Sequence, residues 1–135
     1  MRNYLNYTIV LVVIGLHAEL DTGITMKPPS FAPVYAVFFP VLAEIAQANG
    51  YALTVHGSLQ KDFDLLAAPW TIEAVSAEDL MKGIADYAGQ VMGMMFETSV
   101  VITQVEEKPH GRKAWCIKMG NGSVIDLSVM PRLSV

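Results

Sequence analysis

The chain holds one cysteine, Cys116, in 135 residues. A single thiol excludes an internal disulfide framework and any Cys-rich zinc site, and it fits a reducing compartment. The three histidines, His17, His56 and His110, show no metal-ligand spacing. Charge is scarce: 16% of residues are charged, 9 basic against 13 acidic, for a net −4. Without a basic excess, a duplex-wrapping DNA-binding role is disfavoured, although a small basic cluster could still grip one phosphate group. No internal repeat or low-complexity tract is present. The apolar run YTIVLVVIGL at 7–16 has ten residues, against the roughly 20 that span a bilayer. What the chain does have is apolar content: 53% of its residues are hydrophobic. That is ample for one core in a chain of one domain's length.

Residues 1–25 can be read in three ways: a dispensable extension ahead of a start at Met26, a packed strand or helix, or a signal or anchor segment. Against the signal, Leu16 stands where a small residue is wanted before cleavage. The expected organisation is therefore an apolar extension, 1–25, to which no function is assigned, and one domain over 26–135. A cytoplasmic location, in a host cell if the chain is phage-encoded, and no stable membrane association are the expectations.

Within that domain, three prolines between Lys27 and Pro33 mark an extended entry, and Ser30 can cap a helix starting near Ala32. Val34, Tyr35, Phe38, Leu42, Ile45 and Ala46 recur at helical spacing, with a kink expected at Pro40 and an end at Asn49-Gly50. Tyr51–His56 and Asp62–Ala68 read as two strands of a hairpin. Ser76-Ala77-Glu78-Asp79 reads as a capping box opening a second helix along Leu80, Ile84, Tyr87, Ala88 and Val91. Thr98–Val105, Lys113–Lys118 and Ser123–Met130 read as strands, the last two joined by Gly120-Asn121-Gly122. The order predicts an α+β fold: a mixed or antiparallel sheet of about five strands with both helices on one face.

The most informative residues are acids in apolar strands. Asp62 and Asp64 alternate with Phe63 and Leu65, so both carboxylates share a face opposite the core. Asp126 stands likewise among Ile125, Leu127 and Val129. Carboxylates there are costly unless solvated, paired or on a metal. Three together repel and raise one another's pKa, and a hard cation such as Mg²⁺ relieves that repulsion. Solvated acids on the outer face of a half-buried sheet are the bland alternative.

Gly57-Ser58 after a strand, Asp62-Phe63-Asp64-Leu65 on the next, and Val124-Ile125-Asp126-Leu127 later resemble the polymerase-beta-type nucleotidyltransferase superfamily in minimal form. HGSLQKDFDLLAAPWT and KPHGR…IDLSVMPR also resemble segments of small uncharacterised phage and prophage proteins. The resemblance covers about residues 32–130. It implies a nucleotidyltransferase-like fold with Mg²⁺ held by Asp62, Asp64 and Asp126, and with Gly57 and Ser58 on phosphate. It departs from the superfamily in one respect: only Leu59-Gln60-Lys61 separate the Gly-Ser from the first acid, where a longer insert is usual.

A basic turn, Lys108-Pro109-His110-Gly111-Arg112-Lys113, supplies candidate phosphate or acceptor contacts in Lys108, His110 and Arg112. Lys61 adjoins the acids. A solvated turn is the alternative for the basic cluster. Trp70 is expected as a lid on the core, His56 as a strand-end packing residue rather than a base, Trp115 and Cys116 as core residues, and the Met92-Met94-Met95-Phe96 cluster as packing. Three functions fit: Mg²⁺-dependent transfer of a nucleoside monophosphate from a nucleoside triphosphate to a protein, RNA or small-molecule acceptor; a non-catalytic phage accessory protein on the same fold that binds a host protein or nucleotide; or a metal-dependent nuclease.

Overall fold

The computed structural model describes residues 30–105 and 107–133; the readings of residues 1–25 lie outside them. The first helix, α1, spans Ala32–Ala48 and buries Val34, Tyr35, Phe38, Leu42 and Ala46 along one stripe. The cap position is Phe31, which makes no side-chain capping bond; Ser30, one residue earlier, accepts the Ala32 N–H on its Oγ at 3.2 Å. The helix runs through Pro40 without a break. Pro40 lies on the exposed side, as does Ala36, so the carbonyl that the missing N–H leaves unpaired has water to turn to.

Strands β1 (Tyr51–His56) and β2 (Asp62–Pro69) follow, then α2 (Ala77–Phe96), whose first turn is closed by Ser76 Oγ accepting the Asp79 N–H at 3.1 Å. Strands β3 (Val101–Val105), β4 (Lys113–Lys118) and β5 (Val124–Val129) complete the domain. They form one sheet in the order β1-β2-β5-β4-β3. Every neighbouring pair is antiparallel except β2 and β5, which run parallel at the centre. The fold is α+β.

The period-2 pattern builds the core. Phe63, Leu65 and Ala67 stand opposite Ile125, Leu127 and Val129, and these stand beside Ile117 and Trp115; all are buried. The buried stripes of both helices join these residues in one cluster, so both helices cover the same face. Tyr35 stacks on Phe63 with ring centroids 4.7 Å apart, and Phe38 meets Tyr87 edge-on at 5.8 Å. Each large apolar side chain buried there contributes about 1.5–3 kcal/mol.

Four local expectations are corrected. Trp70 is no lid: it is 79% exposed, because its backbone N–H and that of Thr71 are both tied to the Gly50 carbonyl, leaving the indole on the outer side of the turn. Met92 is core, but Met94 and Met95 fall off the buried stripe of α2 and are 82% and 68% exposed. Cys116 is half-buried, on the face opposite Trp115 and Ile117. The third strand begins at Val101 rather than Thr98, since Glu97 caps α2 in the left-handed region and the Thr98 hydroxyl is spent on the Met119 carbonyl at 3.2 Å.

Candidate acidic site on the open sheet face

Asp64 faces Asp126 across the parallel pair β2 and β5. His56 faces Asp64 from β1, and Cys116 faces Asp126 from β4. Directly opposed residues project from the same side of a sheet with Cβ atoms about 5 Å apart. His56, Asp64, Asp126 and Cys116 therefore form one row across four strands, on the side that the helices leave uncovered. Asp62 lies on that side too, two residues from Asp64 and roughly 6–7 Å away along the strand. The sheet thus brings Asp62, Asp64 and Asp126 to the same face and the same end.

The electrostatics agree with this crowding. Burial pushes the Asp64 carboxyl above the usual carboxylate range; His56 opposes the shift, while Asp126 and Asp62 add to it. The Cys116 thiol is pushed up as well, first by burial and then by Asp126. Hard-cation chemistry fits such a donor set, because Mg²⁺ is commonly held through only one or two carboxylates plus substrate phosphates. Among the described residues, no group of three or more His, Cys, Asp and Glu side chains is drawn into a metal cage. Asp64 and Asp126 are the two acids of the set that stand directly opposite one another.

The turn between β1 and β2 lies against Asp64. Gly57 has φ +75°, and a Cβ there would stand 2.2 Å from Asp64 Oδ2. Only glycine lets the turn lie against the carboxylate. Leu59 also takes a positive φ of 62°, and Ser58 Oγ accepts the Gln60 N–H at 3.4 Å. Beneath the acids, Tyr35 joins the starts of both strands: its hydroxyl donates to the Lys61 carbonyl and accepts the Val124 N–H at 3.2 Å. Burial is the main reason its pKa is pushed up to about 12, with Asp62 and Asp64 raising it further.

Gly57, Ser58 and Lys61 therefore adjoin the acids, whereas Lys108, His110 and Arg112 do not. Lys113, which follows them, faces Val129, while Cys116 faces Asp126. Because β4 runs antiparallel to β5, the basic turn sits at the far end of the sheet, roughly 10 Å or more along the strands. There Lys113 pairs with Glu78 at the start of α2, and Arg112 Nε is buried with no hydrogen-bond partner among the described residues. A cleft of about 450 Å³, lined by Tyr51, Ile72, Glu78, Lys113, Met130 and Arg132, opens at that far end, away from the acids.

Sequence reasoning took His56 for a packing residue and Cys116 for core. The signal that could have found both was register: the His56–Asp64 and Cys116–Asp126 pairings follow from two hairpins whose turns are visible in the chain. Among the described residues no helix is long and apolar enough to cross a membrane. Compared with protein-family models, with curated proteins and with solved structures, the chain matches none of them.

Proposed function

We propose that this protein is a minimal nucleotidyltransferase-like enzyme, moving a nucleoside monophosphate from a nucleoside triphosphate to an acceptor hydroxyl. The observation that supports it most is the parallel register of Asp64 against Asp126, with Asp62 on the same face. Asp64 and Asp126 would hold a Mg²⁺ ion, which would supply charge to neutralise the triphosphate. The chain's own residues do the rest. Gly57 and Ser58 offer backbone amides and a hydroxyl to phosphate oxygens. Asp126 takes the proton of the acceptor hydroxyl as its oxygen bonds to the α-phosphorus and pyrophosphate leaves. Calorimetry with each nucleoside triphosphate, with and without Mg²⁺, tests the binding, and a radiolabel and intact-mass screen tests transfer. Binding that needs Mg²⁺ and weakens at least tenfold in Asp64→Asn is expected. Absence of binding at millimolar nucleotide refutes the reading.

A second reading, a non-catalytic accessory protein that binds a host protein or nucleotide on the same fold, draws support from a different observation. Lys108, His110 and Arg112 of the basic turn lie at the opposite end from the acids, which leaves Lys61 as the one phosphate-gripping candidate beside them, and the turn from Gly57 to Lys61 is short. Nucleotide binding that is indifferent to Mg²⁺ and to Asp64→Asn is its expected signature.

A further inference from the structure

We infer that the outer edge of β3 is a self-association surface, through which two copies of this chain pair their sheets about a two-fold axis at Thr103. β3 bonds to β4 on one side only and closes the sheet at that margin. Among the described residues, no strand lies beside its other side, which carries backbone N–H and C=O groups. Neither of its faces is fully covered among the described residues: Val101 is 56% exposed on one side and Ile102 43% exposed on the other, and Thr103 and Gln104 are exposed as well. The opposite margin differs, because α1 packs on β1 and buries Tyr51 there.

Monomeric proteins blunt such an edge with charge, proline or a bulge. From Tyr87 to Val105 the only charged residue is Glu97, and no proline occurs. Met94 and Met95, at the end of α2 just before β3, add exposed apolar surface. An edge without charge is complementary to itself, since self-pairing sets no like charges against each other. Antiparallel pairing centred on Thr103 puts threonine opposite threonine, a favourable cross-strand pair, and sets Ile102 opposite Gln104 of the second copy. Such a contact is isologous and closes as a dimer, whereas pairing β3 with β1 of another copy would propagate without end.

The register gives the dimer a further property. Thr103 faces Cys116, so it stands in the same row as Cys116, Asp126, Asp64 and His56. A two-fold normal to the sheet continues that row into the second copy on the same face. The two Asp126 positions then lie five strand spacings apart, about 24 Å.

Sedimentation equilibrium of the full chain at about 100 µM, together with light scattering, reads the mass. Twice 14.7 kDa is expected for the wild type. Thr103→Lys, which opposes two ammonium groups on the axis, is expected to return the mass to that of one chain while the far-UV spectrum stays unchanged. Thr103→Cys in a Cys116→Ser background gives an independent measurement that does not depend on Thr103→Lys folding: mild oxidation is expected to yield a disulfide-linked dimer. A wild-type mass of one chain overturns the inference. So does a dimer in which Thr103→Cys fails to cross-link and Thr103→Lys, if folded, leaves the mass unchanged.

Discussion

Gly57→Ala separates the strain of the turn from its effect on the acids, and Gly111→Ala is its natural control. Both glycines hold similar positive φ values, +75° and +73°. A side chain in that region costs about 1–2 kcal/mol of backbone strain. For a domain of roughly 100 residues, that corresponds to a fall of about 5–15 °C in Tm. The surroundings differ. At Gly111 an added Cβ meets Pro131 Cγ at 3.5 Å, an ordinary contact; at Gly57 it would overlap Asp64 Oδ2 at 2.2 Å. That oxygen is the far end of a rotatable side chain, so the overlap is relieved by turning the carboxylate away, at about 0.5–1.5 kcal/mol.

The turned carboxylate leaves the position in which burial, Asp126 and Asp62 raise its pKa. Both variants should thus lose comparable stability, Gly57→Ala slightly more. Only Gly57→Ala should bring Asp64 back toward the ordinary carboxylate value. Thermal unfolding followed by circular dichroism measures the first effect, and a carboxyl ¹³C titration by NMR measures the second. An Asp64 titration that is the same in the two variants would refute the proposed contact between turn and acid.

Asp64→Asn should be more stable than the wild type near neutral pH. The wild-type carboxyl has a raised folded pKa, so the protein loses stability as pH rises through that value, and the advantage of Asn should vanish below the unfolded pKa of about 3.9; urea melts at several pH values give the curve. Tyr35→Phe strips a partner from the Lys61 carbonyl and the Val124 N–H and should cost about 1–3 kcal/mol in urea unfolding. In the wild type, a phenol titrating near 12 by ultraviolet difference implies stability that is intact below pH 10 and lost as pH climbs toward 12. Iodide should quench Trp70, 79% exposed, and spare Trp115, 3% exposed, and Trp70→Ala should change stability by no more than about 0.5 kcal/mol.

Local rules carried the reading where the information is local. The apolar period of α1, the Ser76 cap of α2 and the alternation through Phe63, Leu65, Ile125 and Leu127 all emerged as structure, because each depends on neighbours within a few residues. Trp70 escaped because its exposure is set by two hydrogen bonds to Gly50, twenty residues earlier in the chain. The composition of the basic turn suits phosphate, but composition does not say at which end of a strand a turn lies. His56 and Cys116 look unremarkable in isolation and acquire meaning only when four strands are set side by side.

The decisive feature is the one parallel adjacency. Suppose β2 and β5 paired antiparallel with full overlap and the same faces buried. Phe63 would then face Val129, Asp64 would face Ser128, and Leu66 would face Asp126. The core would be as apolar as it is now, so hydrophobic pattern alone has no preference between the two arrangements. Asp64 and Asp126 would nevertheless stand two positions apart along the strands, and their mutual repulsion would weaken. Chain connectivity makes the choice. The hairpin through Gly120 and Gly122 turns β5 against β4, β4 runs against β3, and the crossover from Pro69 through α2 returns the chain to the sheet. That route brings Val124 beside Asp62 and sets both strands out from the same end. Asp126, third in β5, then has no neighbour on β2 but Asp64, third in β2. The crowding of acids is thus a consequence of the crossover, and its cost is carried by a core that would be as well satisfied without it.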